Sequence, residues 1–161
     1  MSDAAELFLG EWTRGLDDRY RVSLPPEWAE LLAGGTDACT LAKERPGCLS
    51  LWNTRHWQTR LDEGLELFRS KIRSGRLERR AESVQLFGRL LSTRQRTTPI
   101  AGRGRVAIPE SFRSFLGVEP GGEVLVVGAA VCVEVWRPQA WSEHIGEHMP
   151  SFRQLFDELT E

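Results

Sequence analysis

The sequence RYRVSLPPEWAELL at residues 19–32 returns as RGRVAIPESFRSFL at residues 103–116, at an offset of 84 positions. Arg19, Arg21, Val22, Pro25 and Leu32 are identical in the two copies. The same offset places four more residues of the first copy on identical ones in the second: Leu41 on Leu125, Cys48 on Cys132, Trp52 on Trp136 and Trp57 on Trp141. Because self-similarity at one fixed spacing marks repeated structural units, the chain is predicted to be a pseudo-dimer.

Each copy shows the same order of secondary-structure signals. In the first, the alternation at 22–24 predicts a strand, and Pro25 and Pro26 predict the start of a short helix that Gly34 and Gly35 end. In the second, the strand falls at 106–108 and the helix between Pro109 and Gly117. Paired β-rich runs then predict a hairpin in each unit, at 38–43 with 48–52 and at 123–127 with 131–136. The predicted fold class is α+β, with two pseudo-symmetric β-α-β-β units.

Helical patterns separate and follow the two units. One apolar stripe consists of Trp57, Leu61, Leu65, Phe68 and Ile72, and a second consists of Leu77, Ala81, Val84 and Leu91, with Phe87 beside it. These two helices are expected to face each other or a neighbouring subunit. A final amphipathic helix carries Phe152, Leu155, Phe156 and Leu159, a stripe that belongs either to the core or to a surface that docks on a partner. The predicted segments are 7–56, 57–92, 93–140 and 141–161.

Composition is typical of a folded protein, since 40% of the residues are hydrophobic and 27% are charged. The longest apolar run, at 124–133, is far short of the ~20 residues that a membrane helix needs, so no membrane partner is expected. Cys39, Cys48 and Cys132 form no C-x-x-C pair, and an odd number of cysteines is a poor disulfide framework. Cys48 and Cys132 are predicted to be small buried hydrophobes, and a cytoplasmic location is expected.

Charge is strongly segregated along the chain. The whole protein has a net charge of −2, yet residues 69–105 contain 11 basic and 2 acidic side chains. A polyanion would therefore bind only to the face that carries these basic residues. The predicted phosphate contacts are Arg76, Arg79, Arg80, Arg94 and Arg96. The alternative is that these arginines are simply solvated on exposed helix faces.

The repeated Arg-x-Arg element suggests the chemistry of recognition. Two guanidinium groups that flank a turn residue just before a strand are held rigidly, and both phosphate oxygens and guanine edges accept such groups in bidentate geometry. The candidate DNA-binding residues are Arg19, Arg21, Arg103, Gly104 and Arg105. The alternative is that Arg21 and Arg105 pair with nearby carboxylates such as Asp17 and Asp18.

One short motif suggests an enzyme. His144, Glu147 and His148 have the H-x-x-E-H spacing of a helix that binds zinc, but a five-residue match is common by chance. Such a site needs a further ligand downstream, where Glu158 and Glu161 are the remaining glutamates. No other catalytic motif stands out. We therefore expect a protein that is not an enzyme and needs no metal or cofactor, with zinc hydrolysis as a remote alternative.

Residues 16–25, LDDRYRVSLP, resemble the first Asp-x-Lys-Gly-Arg-x-x-x-Pro element of the MraZ family, and residues 104–109, GRVAIP, resemble its second. Residues 116–124 are similar to the helix end and turn of AbrB-like swapped-hairpin domains, and 127–136 to the closing hairpin of MraZ. Glu78, Arg79 and Arg80 resemble the start of its second interdomain helix. The resemblance covers roughly residues 7–145.

This resemblance implies a double-split β-barrel of the AbrB/MraZ type that acts as a sequence-specific DNA-binding transcriptional regulator. It further implies a ring-like homo-oligomer whose Arg-bearing loops face double-stranded DNA. The usual target in the family is the promoter region of the division and cell-wall gene cluster, bound as short repeated boxes, so a nucleoid-associated protein is expected. The alternative is a ring-forming structural or interaction protein with reduced or lost DNA binding.

Three residues depart from the family pattern. Arg19 and Tyr20 stand where the family has lysine and glycine, and Ala101 stands where it has aspartate. Arginine in place of lysine keeps the charge. A left-handed backbone would cost Tyr20 about 1–2 kcal/mol but would cost Gly104 little. The first loop is therefore predicted to leave the glycine-type turn, with the Tyr20 ring packed on the domain or along a sugar. The second loop is predicted to carry most of the base recognition.

Overall fold

The computed structural model describes residues 6–161. Eight strands form one sheet in this part of the chain: β1 (Glu11–Gly15), β2 (Arg21–Ser23), β3 (Ala38–Arg45), β4 (Cys48–Trp52), β5 (Gln95–Ala101), β6 (Arg105–Ala107), β7 (Glu123–Gly128) and β8 (Val133–Trp136). The α-helices are α1 (Pro26–Ala33), α2 (Thr54–Arg73), α3 (Ala81–Arg94), α4 (Glu110–Leu116), α5 (Pro138–His148) and α6 (Phe152–Thr160).

The strands of the two repeats are interleaved rather than side by side. The sheet order is β1-β7-β8-β4-β3-β5-β6-β2, and every pairing between neighbouring strands is antiparallel. The first strand of each unit pairs with the third strand of the other, as β1 with β7 and β5 with β3. Neither unit therefore completes its own sheet.

A pseudo-twofold axis relates the two units. Val22 lies opposite Val106 in the β2–β6 ladder, and Ser50 lies opposite Glu134 in the β4–β8 ladder. Both pairs are separated by the repeat offset of 84 positions, so the axis passes through both ladders. In the order of strands around the barrel, these two ladders lie on opposite sides.

The interior of the barrel is apolar, and both faces of its central hairpins are covered. Twenty buried residues from both units form one main cluster inside the sheet. All five residues of β4 are buried, because its outer face is also covered. Trp57 of α2 packs there on Trp52 with ring centroids 5.5 Å apart, and Trp141 of α5 packs on Trp136 at 5.2 Å. The two repeated tryptophan pairs thus attach one helix each to the outside of the barrel.

The three cysteines are buried and free, which confirms the prediction for Cys48 and Cys132. Burial raises the pKa of the Cys39 and Cys132 thiols to about 12. The pKa of the Cys48 thiol is raised as well, again chiefly by burial. These thiols therefore stay protonated and act as small hydrophobic side chains, because only the thiolate is reactive.

The two interdomain helices form a hairpin that is largely solvent-exposed. Phe68 of α2 contacts Phe87 of α3 with ring centroids 4.9 Å apart, so the predicted stripes do face each other. Trp57 is the one buried residue in the described part of these two helices. Beyond that contact, Leu67, Leu86 and Leu90 remain more than half exposed.

The structure confirms the α+β split-barrel class and shows two strands that the sequence patterns did not predict. These are β1 and β5, the first strand of each unit, so each unit is β-β-α-β-β in the structure. The strands β2 and β6 begin one residue earlier than predicted, at Arg21 and Arg105. Among the described residues, no helix combines the length and the apolar character needed to cross a membrane.

Candidate nucleic-acid interface

The structure brings the two Arg-x-Arg elements together in the β2–β6 ladder. Arg21 lies opposite Ala107, and Ser23 lies opposite Arg105. Val22 and Val106 point into the barrel and are buried. Because side chains alternate between the faces of a strand, Arg21 and Arg105 both lie on the outer face, as diagonal neighbours about 7–8 Å apart.

The first loop is built around the carboxylate of Asp17. Its Oδ1 accepts hydrogen bonds from the backbone N–H groups of Arg19 and Arg21, each at 2.9 Å. Its Oδ2 accepts from Nε of Arg21 at 2.8 Å. The predicted alternative that Arg21 pairs with Asp17 is thus correct. The Arg21 guanidinium is held in place by its Nε, and its terminal nitrogens remain for a ligand.

These hydrogen bonds lower the pKa of Asp17, with the backbone N–H of Arg21 as the largest cause. A group with a lowered pKa in the folded state contributes stability above its ordinary pKa, and this stability is lost as the pH falls through the lower value. We expect the amide resonances of Arg19 and Arg21 to shift with a midpoint below 3.8, the ordinary value for aspartate. NMR titration measures this midpoint.

Asp17→Asn is the control for this titration, because it removes the titrating group but retains an oxygen acceptor. The second loop is an internal control, since Ala101 stands at the equivalent position and its loop should show no such transition. A midpoint at or above 3.8 for the wild-type amides would contradict the assignment of Asp17 as the centre of the loop.

The second loop is a 3-10 turn, Gly102–Gly104, without a central carboxylate. Arg103 and Gly104 both have left-handed backbone, with φ of 67° and 68°. Arg105 donates from Nε to the carbonyl oxygen of Gly102 at 3.2 Å. Among residues 6–161, neither Arg103 nor Arg105 has a carboxylate within ion-pair distance. Within the described residues the charge of Arg105 is therefore not neutralised, in contrast with that of Arg21.

The prediction that Tyr20 leaves the left-handed turn is wrong. Its φ is 58°, close to the 68° of Gly104. Three contacts with the second unit offset the strain: Arg113 of α4 stacks its guanidinium 4.0 Å from the ring centroid, the hydroxyl donates to Glu119 at 3.3 Å, and Ile108 donates its N–H to the Tyr20 carbonyl oxygen at 2.8 Å. Partial burial, followed by the charge of Glu119, raises the pKa of Tyr20.

The pseudo-twofold axis gives Gly104 an equivalent but smaller neighbour. Ala29 of α1 is separated from Arg113 by the repeat offset, and it contacts Gly104 as Arg113 contacts Tyr20. A Cβ at Gly104 would lie 3.1 Å from the Cβ of Ala29 and 3.0 Å from the carbonyl oxygen of Leu24. Each loop is therefore fitted to a helix of the other unit: glycine against alanine in one, tyrosine against arginine in the other.

The five predicted phosphate contacts lie outside the two loops, on the helical hairpin and on β5. Arg76, Arg79 and Arg80 are exposed at the tip of the helical hairpin. That tip lies at the end of α2, whose 20 residues span about 30 Å from a start on the β4–β8 side of the barrel. Arg94 donates from Nε to the Lys43 carbonyl oxygen at 3.2 Å and stacks on Trp57.

Arg96 is exposed on β5. The strand β5 pairs with β6, one of the two strands that carry the Arg-x-Arg elements.

The H-x-x-E-H residues lie on α5 beside the tryptophan pair. The ring of His144 packs on Trp136 with centroids 4.9 Å apart, and it lies 4.4 Å from the ring of His148. Nδ1 of His144 is 3.3 Å from Nη1 of Arg45. Partial burial, and then the charge of Arg45, lower the pKa of His144. Glu147 is exposed, and no group of three ligand residues that could hold a metal ion occurs in the described part of the chain.

The comparisons with known proteins agree with this architecture. The chain is 31% identical over 153 residues to the transcriptional regulator MraZ of Arthrobacter sp. strain FB24, with 95% of this chain and 97% of that protein covered. The chain belongs to the MraZ family. The MraZ proteins of Micrococcus luteus and Saccharopolyspora erythraea are 29% and 27% identical over 153 residues, with 95% of this chain and 96% of each relative covered.

The MraZ family model, described as "MraZ protein, putative antitoxin-like", matches residues 99–161, which include the second loop and everything after it. The resemblance found in residues 16–25 and 104–109 is thereby confirmed at the level of the family. The expectation that the chain is not an enzyme is confirmed by the same assignment, because the MraZ relatives are named transcriptional regulators.

Proposed function

We propose that this MraZ-family chain is a sequence-specific DNA-binding transcriptional regulator that binds repeated promoter boxes as a ring-like homo-oligomer. Its DNA-facing residues are Arg19, Arg21, Arg103, Gly104 and Arg105. The observation that carries the proposal is that Arg21 and Arg105 lie on the outer face of one two-stranded ladder. A cytoplasmic, nucleoid-associated location follows from the proposed partner.

The dimensions of the ladder suit the major groove of DNA. That groove is about 12 Å wide and admits a two-stranded β-ribbon. The Cα atoms of Arg21 and Arg105, about 7–8 Å apart as diagonal neighbours, span roughly two base-pair steps of about 3.4 Å each. Each guanidinium forms a planar fork that matches the O6 and N7 acceptors of guanine. The exposed Arg19 and Arg103, at the loop tips, contact the flanking phosphates.

The two loops have different roles in this proposal. Arg105 reads a base, because no carboxylate in the described chain neutralises it. Arg21 contributes less, because Asp17 already occupies its Nε in an ion pair. Because the two loops differ, each subunit binds DNA in one defined orientation. Direct repeats, rather than the palindromes that true twofold dimers read, are therefore the expected target.

Self-association is the second part of the proposal. The barrel is formed by 7–56 and 93–140, and the helices at 57–92 and 141–161 present large exposed apolar side chains outside it, including Ile72, Leu86, Leu90, Phe156 and Leu159. Large exposed apolar side chains in this number favour an interaction site on these helices. Several loops on one ring would bind repeated boxes with avidity, which converts weak single contacts into tight binding.

Binding to the DNA upstream of the protein's own gene, compared with random DNA over a range of salt concentrations, tests this function. Preference for the upstream DNA, with an affinity that falls steeply with salt, is the expected result. Equal and weak binding to both DNAs would instead support a ring-forming structural or interaction protein.

A matched pair of variants tests which arginines contact phosphates. Each phosphate contact contributes about 0.9 to the slope of log affinity against log salt. We expect Arg103→Ala to reduce this slope by about one for every subunit engaged, on specific and random DNA alike. Arg79→Ala removes the same charge from the tip of the helical hairpin and should leave the slope unchanged. If Arg79→Ala reduces the slope and Arg103→Ala leaves it unchanged, the DNA lies along the hairpin.

A further inference from the structure

The repeat extends beyond the barrel into the C-terminal helices. At the same offset of 84 positions, the apolar stripe of α2 matches an apolar stripe of α5 and α6: Trp57 with Trp141, Leu61 with Ile145, Leu65 with Met149, Phe68 with Phe152 and Ile72 with Phe156. The segment after β8 is thus a second copy of α2, interrupted at the Met149–Ser151 turn.

The two copies of this helix differ in what covers them. Phe68 of α2 packs on Phe87 of α3, which follows α2 in the chain. Phe152, its equivalent in α6, is 60% exposed, and Phe156 is 54% exposed. All residues from 146 to 161 are exposed, so α6 packs on no other part of the described chain. The apolar face of α6 therefore has the pattern of a packed helix and lacks a packing partner.

A groove in the same chain has the complementary properties. It lies between α2 and α3, has a volume of about 290 Å³, and has an apolar floor that includes Leu67, Phe68 and Phe87. Lys71 and Arg80 lie on its rim. Residues 69–94 around it contain 8 basic and 2 acidic side chains, a local charge of +6. Residues 143–161 contain 1 basic and 5 acidic side chains, a local charge of −4.

We infer that α6 of one copy of this chain binds in the groove between α2 and α3 of a second copy. Phe152 and Phe156 enter the groove, so that α2 and α3 of the second copy take the place that an α3-like helix would have beside α6. Asp157 and Glu158 face the basic rim of the groove. The helix and the groove are different surfaces of one chain. The contact is therefore heterologous, and its repetition produces a closed ring when the rotation between copies closes.

This inference rests on the proposed ring and specifies the interface that forms it. It also gives the hairpin arginines, such as Arg80, a partner other than DNA. Opposite charges on the two surfaces orient the docking and exclude a parallel contact between two copies of α6, which would bring like charges together.

The test uses one charged substitution on each surface of the full-length protein. Phe156→Glu alters α6, and Leu67→Glu alters the groove; both side chains are exposed, so the barrel does not depend on them. Gln154→Glu adds the same charge to the polar side of α6 and is the control. Light scattering at micromolar protein without DNA should show a wild-type and control mass larger than a dimer, and a monomer of 18.2 kDa for each charged variant.

Mixing the two charged variants gives the decisive measurement. The Phe156→Glu chain retains an intact groove, and the Leu67→Glu chain retains an intact α6, so one good interface remains per pair. We expect the mixture to form a one-to-one dimer and nothing larger. That result also shows that both variants are folded.

Each other outcome overturns the inference in a recognisable way. If both variants keep the wild-type mass, the ring forms through another surface. If Phe156→Glu dissociates the ring while Leu67→Glu keeps the wild-type mass, the groove does not hold α6, and two copies of α6 pair with each other. If the wild-type protein is itself a monomer, both this inference and the proposed ring are wrong. DNA binding by the loops is then tested separately.

Discussion

Arg105→Ala should remove most of the preference for the protein's own upstream DNA over random DNA. Loss of one bidentate contact to guanine costs about 1–3 kcal/mol, which is roughly 5- to 150-fold in affinity on the specific site. The loss multiplies when several subunits of a ring bind together, so it should be the largest effect of any single substitution on specific binding. Random DNA should lose little, because its affinity comes from phosphate contacts.

Arg21→Ala is the matched variant on the other side of the pseudo-twofold axis. It should cost less specific affinity than Arg105→Ala, because Asp17 already binds the Arg21 Nε. Titrations of specific and random DNA at one fixed salt concentration measure both losses. If Arg105→Ala weakens binding to the two DNAs equally, Arg105 contacts a phosphate. If Arg21→Ala is the more damaging change, the first loop is the reader.

Gly104→Ala should destabilise the protein and weaken DNA binding together. Left-handed backbone costs a residue with a Cβ about 1–2 kcal/mol. The new Cβ would also lie only 3.0 Å from the carbonyl oxygen of Leu24. For a domain of about 160 residues this corresponds to a fall in Tm of roughly 2–8 °C. Because Gly104 holds the two neighbouring arginines in place, we expect DNA affinity to fall at least about tenfold as well.

Gly102→Ala is the control for this experiment. Gly102 lies in the same turn, yet a Cβ there would meet no atom within 4 Å, and its φ is not in the left-handed region. Thermal unfolding and DNA titration of both variants should show an effect at Gly104 and almost none at Gly102. Equal effects would mean that the turn as a whole, rather than the fit of Gly104 against α1, determines the behaviour of the loop.

The pattern of the sequence was sufficient for most of the barrel, because the repeat specifies the order of elements twice. The strands β1 and β5 were not predicted because their sequences carry no apolar run. Residues 11–15 read EWTRG, with no fully buried side chain, and residues 95–101 read QRTTPIA. These segments become strands by pairing with the third strand of the other unit, and only the assembled sheet provides that partner.

The conformation of Tyr20 shows a second limit of prediction from local sequence. Its left-handed backbone is unfavourable by itself, and the local sequence correctly predicts that cost. The compensating contacts come from Arg113 and Glu119, the latter 99 residues further along the chain. Local sequence carries no information about such contacts. By contrast, the second copy of the α2 stripe can be recognised from the sequence alone, because it continues the offset that relates Trp57 to Trp141.

The interleaved order of the strands also determines when they can pair during synthesis on the ribosome. Thr13 of β1 pairs with Leu125 of β7, which the ribosome adds 112 positions later. At about 5–20 residues per second, the first strand waits roughly 6–20 s for its partner to be made. Contacts so distant in sequence also slow folding, because the loop must close before pairing stabilises it. The barrel therefore closes only after β7 has been made, and until then the nascent chain exposes unpaired strand edges that a chaperone would have to protect.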